Sequence, residues 1–420
     1  MSEVQRRRPG RLRTAVAAVA VAAGAAAGTW AVVPAAEALP VETVPPIGAD
    51  SGRFALPINC EITLPDFGGI KVLDLPTTVD IQGVAPTQLR PGQQFYLTEG
   101  KGGMVFPSWL PSLAGVVGIT KVDANLVEMN IGAKGASPSK INISPAGGLL
   151  LRDIPLQFGK DLDVRVPVDG GTFPDIGPYT APADGVVTLQ FDSALVDITL
   201  KADWGLRLAV KAKCLPVAGN ALLSMAVGGE PGGEPVAFHG VPMDQFQPVA
   251  ANNQVGIINS PYKCTVLGAP FDVGIAVGAN TPLSVKNGGS ITFTNASGAL
   301  VVPKATVDQL IAAGFRKVSG KVNALNLQAT GGSPKQLNVL GQGFPIPETA
   351  LVAGKDIIVP LPPSGTLTAG PWKPDLLSSH VKISLGTADA DLVFDGGQPT
   401  KASCAVPSPE VILLDAPVTN

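Results

Sequence analysis

The chain is predicted to be all-β, built from two tandem copies of one disulfide-closed domain, and three observations carry that prediction. The composition is that of a folded, turn-rich protein: 15% charged residues against about 25% in an average soluble domain, 45% hydrophobic residues and a mean hydropathy of +0.29. Four cysteines fall in two widely spaced pairs. Apolar residues alternate in short runs bounded by Gly, Pro or Asn. At 420 residues and 42.7 kDa the chain exceeds a single typical domain. Its 49 Gly and 40 Pro are about a fifth of the residues, short of the ~25–30% of low-complexity chains, so they punctuate many short elements.

Residues 1–38 read as an export signal peptide. Arg6, Arg7, Arg8, Arg11 and Arg13 precede an uncharged Ala/Val-rich run from Thr14 to Val33, and Ala36-Glu37-Ala38 fits a small-x-small cleavage site. The mature chain is then expected to start near Leu39. An uncleaved anchor is the alternative, since Thr14 to Val33 is just long enough to span a bilayer, but weakly apolar alanines and Gly24 and Gly28 favour cleavage. Arg7-Arg8 hints at twin-arginine export, yet Pro9-Gly10 follows where an apolar continuation is usual, so ordinary secretion is expected. Cleavage removes five Arg plus Glu3 and Glu37, leaving 25 basic and 31 acidic residues and a formal charge of −6. That balance disfavours nucleic acid and anionic membrane surfaces as partners. No later stretch holds 18 consecutive apolar residues, so no transmembrane segment is expected after leader removal.

An N-terminal linker (residues 39–56) leads into the first copy. Cys60 and Cys214 are 154 residues apart, Cys264 and Cys404 are 140 apart. Sliding the chain against itself by 196 residues superposes Pro86, Gly92, Val105, Pro107, Gly118, Lys121, Val122, Asn130, Ser137, Pro138 and Asn142 on identical residues, from Pro282 to Asn338, without a gap. Gly159-Lys160-Asp161 meets Gly354-Lys355-Asp356 after a one-residue adjustment. Domain 1 is placed at 57–218, domain 2 at 261–408 and a C-terminal tail at 409–420. Residues 219–260 are assigned to a connecting segment that contains the Gly/Pro tetrads of Gly228–Pro235.

Within each copy, Thr78-Val-Asp-Ile-Gln, Lys321-Val-Asn-Ala-Leu-Asn-Leu and Val381-Lys-Ile-Ser-Leu alternate as strands with one buried face. One helix per copy breaks the pattern. Thr306 with Gln309 forms a capping-box signature before Leu310 and Ile311, and Gly314 sits at the expected end; its counterpart runs from Ser108 to Gly118, with Pro111 in the first turn. Many short strands, one small helix per copy and few aromatics predict two tandem immunoglobulin-like β-sandwich domains, each with one short helix and one disulfide.

The framework residues resemble a family of secreted actinobacterial proteins of unknown function that carry an immunoglobulin-like domain singly or in tandem. The resemblance rests on the Cys60-Glu-Ile and Cys264-Thr-Val starts, the steps from Pro86 to Gly92 and from Pro282 to Gly288, Val-x-Pro before each helix, and the closing Cys214 and Cys404. It implies no activity.

Four cysteines in an exported chain imply two disulfides. Of three possible connectivities, Cys60 with Cys214 and Cys264 with Cys404 keeps each domain self-contained, with about 5 kcal/mol from each closed loop in the chain-entropy treatment. The absence of CxxC spacing argues against a metal site, and no cofactor is expected. His239 and His380 have no counterparts in the other copy. Ser137-Pro-Ser-Lys140 has the spacing of a serine nucleophile with a lysine base, but copy two reads Ser333-Pro-Lys-Gln and Pro138 suggests a turn. Lys160-Asp161 and Lys355-Asp356, the one charged dipeptide kept in both copies, read as solvated turn residues in preference to an acid–base pair. Tyr179 in Gly177-Pro-Tyr and Trp372 in Gly370-Pro-Trp are candidate binding platforms, with closure of the sandwich core as the alternative.

The sequence therefore predicts a secreted, non-catalytic binding or structural protein, extracellular or loosely associated with the cell wall, with a wall polymer or envelope protein as partner. The alternative is a secreted hydrolase whose Ser, Asp and His residues meet only in three dimensions.

Overall fold

A computed structural model describes residues 54–420, except 168–170, 218, 229–235 and 247–248. The expected leader, its cleavage site and most of the Gly/Pro tetrads lie outside the described residues. Domain 1 comprises β1 (Phe54–Leu64), β2 (Ile70–Val84), β3 (Gln88–Leu89), β4 (Gln94–Phe106), helix α1 (Trp109–Val116), β5 (Ile119–Lys134) and β6 (Lys140–Asn142). It continues with β7 (Leu149–Pro155), β8 (Leu162–Val166), β9 (Ile176–Thr180), β10 (Gly185–Ala202), β11 (Arg207–Pro216) and β12 (Ala221–Val227). Its main antiparallel order is β8-β4-β2-β1-β11-β10-β5-β7. β4 and β10 are shared between layers: β4 pairs on one edge with β9 and then β8, and β10 with β12 and then β11.

Domain 2 repeats this plan. It comprises β13 (Asn253–Val266), β14 (Ala269–Pro282), β15 (Val285–Lys286), β16 (Ile291–Val302), α2 (Lys304–Ala312), β17 (Lys317–Thr330), β18 (Gly332–Ser333) and β19 (Gln336–Asn338). Then follow β20 (Phe344–Ala350), β21 (Ile357–Leu361), β22 (Leu367–Pro374), β23 (His380–Phe394), β24 (Thr400–Cys404) and β25 (Ile412–Thr419). The order β21-β16-β14-β13-β24-β23-β17-β20 matches domain 1 strand for strand. The short parallel pair β3–β12 recurs as β15–β25. The fold is thus all-β, two similar domains with one short helix and one disulfide each, as in tandem immunoglobulin-like sandwiches; Cys60 is joined to Cys214 and Cys264 to Cys404.

Each domain has its own core. Leu56, Ile58, Phe95, Ile131, Leu189 and Phe191 lead the first; Tyr262, Ile275, Ile291, Trp372, Ile383 and Leu385 lead the second. The domains nevertheless pack directly on each other. Leu283 of domain 2 belongs to the core of domain 1, Phe54 pairs with Gln254, Thr87 Oγ1 donates to Asn259 O (3.1 Å), and the Gln88 amide donates to Pro409 O.

Four segments differ from expectation, the first being β1, which already starts at Phe54 within the expected linker 39–56. Ala221–Val227, placed in the connecting segment, is the last strand of domain 1, and Ile412–Thr419, placed in the tail, is the last strand of domain 2. In Ala221–Val227 the side chains are buried almost continuously, so the two-residue period that marks a half-buried strand is weak, whereas Ile412–Thr419 does alternate in burial and follows the closing cysteine expected to end the domain. β13 already starts at Asn253.

The second helix begins at Lys304, two residues before the capping box predicted from Thr306. Thr306 is buried and its hydroxyl donates to Asp272 O (3.2 Å), so it docks the helix on β14 in place of capping it. The open N-terminus is closed from a distance: Asp356 Oδ1 accepts from Lys304 N (2.7 Å), as Asp161 Oδ1 does from Ser108 N in domain 1 (2.7 Å). The glycine of the same tripeptide adds a second tie, since Gly354 N donates to Asp308 Oδ1 (2.9 Å) and Gly159 N to Ser112 Oγ (3.0 Å). Gly118 (φ +77°) and Gly314 (φ +100°) end the helices in the left-handed region.

Candidate functional site

The two copies differ most at one end. From Cys60 to its cross-strand partner Leu75 the β1–β2 hairpin takes 15 residues, whereas Cys264 meets Phe271 after seven. Ala194 and Cys214 are 20 apart across β10–β11, against 16 for Ala388 and Cys404. These extensions, eight and four residues, account for 12 of the 14 by which the first cysteine spacing (154) exceeds the second (140). Domain 1 therefore carries two overlong hairpins beyond its disulfide, at the end where α1 lies.

Between these hairpins, α1 and the sheets is a cavity of about 340 Å³. Ile62, Leu73, Leu75 and Val79 line it from β1–β2, Val196, Ile198, Leu200 and Val210 from β10–β11, and Val122, Leu126, Leu151 and Val164 from β5, β7 and β8. Leu110, Leu113, Ala114 and Val117 cover it from α1 and its C-terminal turn. Every lining residue is Gly, Ala, Val, Leu, Ile, Pro, Met or Phe, so no side chain presents a nitrogen or oxygen to the interior. An apolar void of ~150 Å³ already holds a small aromatic molecule in a protein core, and ligand pockets span ~300–1,000 Å³.

The cavity reaches the surface beside α1. Val72, Leu113 and Val117 line it and are also 51%, 56% and 56% exposed. Around them Phe67, Ile70, Trp109, Val116, Phe158 and Trp204 are exposed as well. Phe158 lies against Gly115 and the Trp204 indole against Gly118, which ties both rings to the helix. In domain 2, Phe315 and Phe394 stand where domain 1 has Ile119 and Leu200, and their rings touch at 4.6 Å between centroids. Two aromatic rings thus occupy space that smaller aliphatic side chains leave open in the first copy.

Tyr179 and Trp372 are not exposed platforms. Both are 0% exposed, at matching places beside β4 and β16: Tyr179 pairs with Phe95, and Trp372 with Ile291. Tyr179 stacks on Phe95 (5.5 Å) and its hydroxyl donates to Ile131 O (2.9 Å), while burial pushes the phenol up to about 12. Trp372 packs on Phe293 (5.3 Å). Both rings are thus packed inside their domains and close the cores.

The remaining candidates are framework groups. Asp161 and Asp356 close the helix N-termini described above. Asn142 Oδ1 accepts from Met129 N and Ser144 N, and Asn338 Oδ1 from Leu325 N and Leu340 N, so this aligned pair satisfies backbone donors where β5 and β17 bulge. Ser137 is exposed and pairs through its backbone with Thr180. His380 Nδ1 lies 3.2 Å from Asp415 Oδ1, and Ser224 Oγ donates to Asp415 Oδ2 (3.3 Å). Here the carboxylate sits between serine and imidazole, whereas nucleophilic catalysis needs the imidazole between hydroxyl and carboxylate. The trio joins β12 to β23 and β25 across the domain junction. No group of three His, Cys, Asp or Glu is placed to hold a metal among the described residues, and no helix there is long and apolar enough to cross a membrane. Sequence reasoning missed the cavity; its signal was the unequal cysteine spacing together with the apolar α1 segment Trp109-Leu-Pro-Ser-Leu-Ala-Gly-Val116.

Comparison with known proteins finds no matching family model, no matching curated protein and no matching solved structure.

Proposed function

We propose that this is an exported, non-catalytic binding protein of the cell envelope or extracellular space, whose first domain holds an apolar molecule beneath α1. The carrying observation is the 340 Å³ cavity with wholly apolar walls and an apolar mouth. The residues shared by the two copies serve caps, bulges and cores, which supports a duplicated scaffold with no chemistry of its own. The basic start and Ala-x-Ala end of the leader support export, and a wall polymer or envelope protein remains the proposed partner of the assembled protein.

The uncharged dye N-phenyl-1-naphthylamine tests the reading. Saturable fluorescence enhancement at one site, weakened at least tenfold by Ala124→Phe with the melting transition retained, is expected. Absence of saturable binding overturns the proposal. Fractionation of native cells into medium, wall and membrane, with mass spectrometry of the N-terminus, tests export; a retained Met1 or Ser2 would replace secretion by anchoring.

A further inference from the structure

We infer that the ligand of domain 1 is a single-chain amphiphile, an acyl chain held tail-inward with its polar head left at the mouth between Val72, Leu113 and Val117. The inference rests on the proposed binding function and names its ligand class. Three features of the cavity carry it.

The first is the chemistry of the walls. A polar head drawn inside would lose its water and find no side-chain partner, because no side chain lining the cavity carries a nitrogen or oxygen. The interior therefore selects hydrocarbon, and any polar group of the ligand stays where the cavity meets solvent.

The second is shape. Wall residues on β5 run from Ile119 to Met129, and those on β10 from Phe191 to Leu200, which at about 3.3 Å per residue is a path of roughly 30 Å. A volume of about 340 Å³ bordered by walls of that length is elongated. It suits one extended chain better than a fused-ring hydrocarbon.

The third is the mouth itself. Val72, Leu113 and Val117 belong both to the wall and to the surface, and Trp109 and Trp204 stand exposed beside them. Indole rings with an apolar body and one polar N–H suit the boundary between hydrocarbon and water. They also provide a built-in reporter of which end of the ligand lies near the opening.

Displacement of N-phenyl-1-naphthylamine from the intact exported chain separates the possibilities. Palmitate and palmitoyl-lysophosphatidylcholine are each expected to compete, and which is tighter distinguishes a free fatty acid from a membrane-derived source. Affinity should rise about threefold to fourfold per added methylene between octanoate and palmitate, and cholesterol should compete at least tenfold less well. Stearate bearing a nitroxide at carbon 5 should quench the tryptophans more than stearate labelled at carbon 16, and Trp109→Phe with Trp204→Phe should abolish that difference. Leu113→Asp and Val117→Asp, both at exposed positions that tolerate charge, should weaken palmitate at least tenfold with an unchanged melting transition. Dye binding with competition independent of chain length, cholesterol binding as tightly as palmitate, or stronger quenching from carbon 16 would overturn the amphiphile inference while leaving the binding function standing. Failure to bind the dye at all would overturn both.

Discussion

Asp161 Oδ1 accepts a 2.7 Å hydrogen bond from the backbone N–H of Ser108, 53 residues earlier in the chain, and so closes the N-terminus of the helix that covers the cavity. Asp356 does the same for Lys304 in the second domain. Neither helix has a capping side chain at its own N-cap position. A carboxylate there satisfies an open N–H and lies at the positive end of the helix dipole.

Replacing Asp161 or Asp356 by Ala is expected to cost about 0.5–2 kcal/mol each, the usual loss of an N-cap, read from urea unfolding. Only Asp161→Ala should also weaken dye binding, because α1 covers the cavity whereas α2 belongs to the other domain. Equal effects on dye affinity from both substitutions would separate the helix from the site.

Tyr179→Ala and Trp372→Ala should each destabilise the protein by about 3–5 kcal/mol, as large-to-small changes in a packed core do. Tyr179→Phe should cost about 0.5–1.5 kcal/mol, since the hydrogen bond from its hydroxyl to the carbonyl of Ile131 is lost. Circular dichroism melts check both; a Tyr179→Ala variant as stable as the parent would mean that the ring does not close the core.

Lys201 Nζ donates to Asp123 and holds its carboxyl below the ordinary 3.8, with the backbone N–H of Asp153 adding to the effect. A carboxyl depressed in the folded state stabilises the fold above its unfolded value near 3.8, and that contribution is lost as pH falls through the folded value. Asp123→Asn should therefore be less stable than the parent at pH 7, and the gap should narrow towards pH 2. Melting temperatures of both proteins across that range provide the check, and a constant gap would show that Asp123 acts through packing alone.

Phe315→Ile with Phe394→Leu should open an apolar space in domain 2 and lower stability by about 2–5 kcal/mol. A second dye site appearing in titrations of this variant would show that aromatic filling is what distinguishes the copies. An unchanged stoichiometry with unchanged stability would show that it is not.

Much of the framework was legible without coordinates because it is written in local terms. Alternation in Thr78–Gln82 and Val381–Leu385 reports one covered face, and the 196-residue offset reports a repeated plan. The strand Ala221–Val227 was not legible because its burial is almost continuous and the period fades, and Ile412–Thr419, which does alternate, lies beyond the closing cysteine that marked the end of the repeat. The capping box at Thr306 was misread for a related reason: a carboxylate 52 residues away satisfies the helix end, and sequence proximity does not report it.

The sequence by itself determined the all-β class, the duplication and the helix in each copy, because turn chemistry and periodicity act over a few residues. Only the tertiary structure decided that Tyr179 and Trp372 turn inward, that Asp415 stands between Ser224 and His380, and that domain 1 keeps an apolar cavity. Each of these depends on which side chains from distant strands share one volume, a packing outcome that linear spacing does not encode.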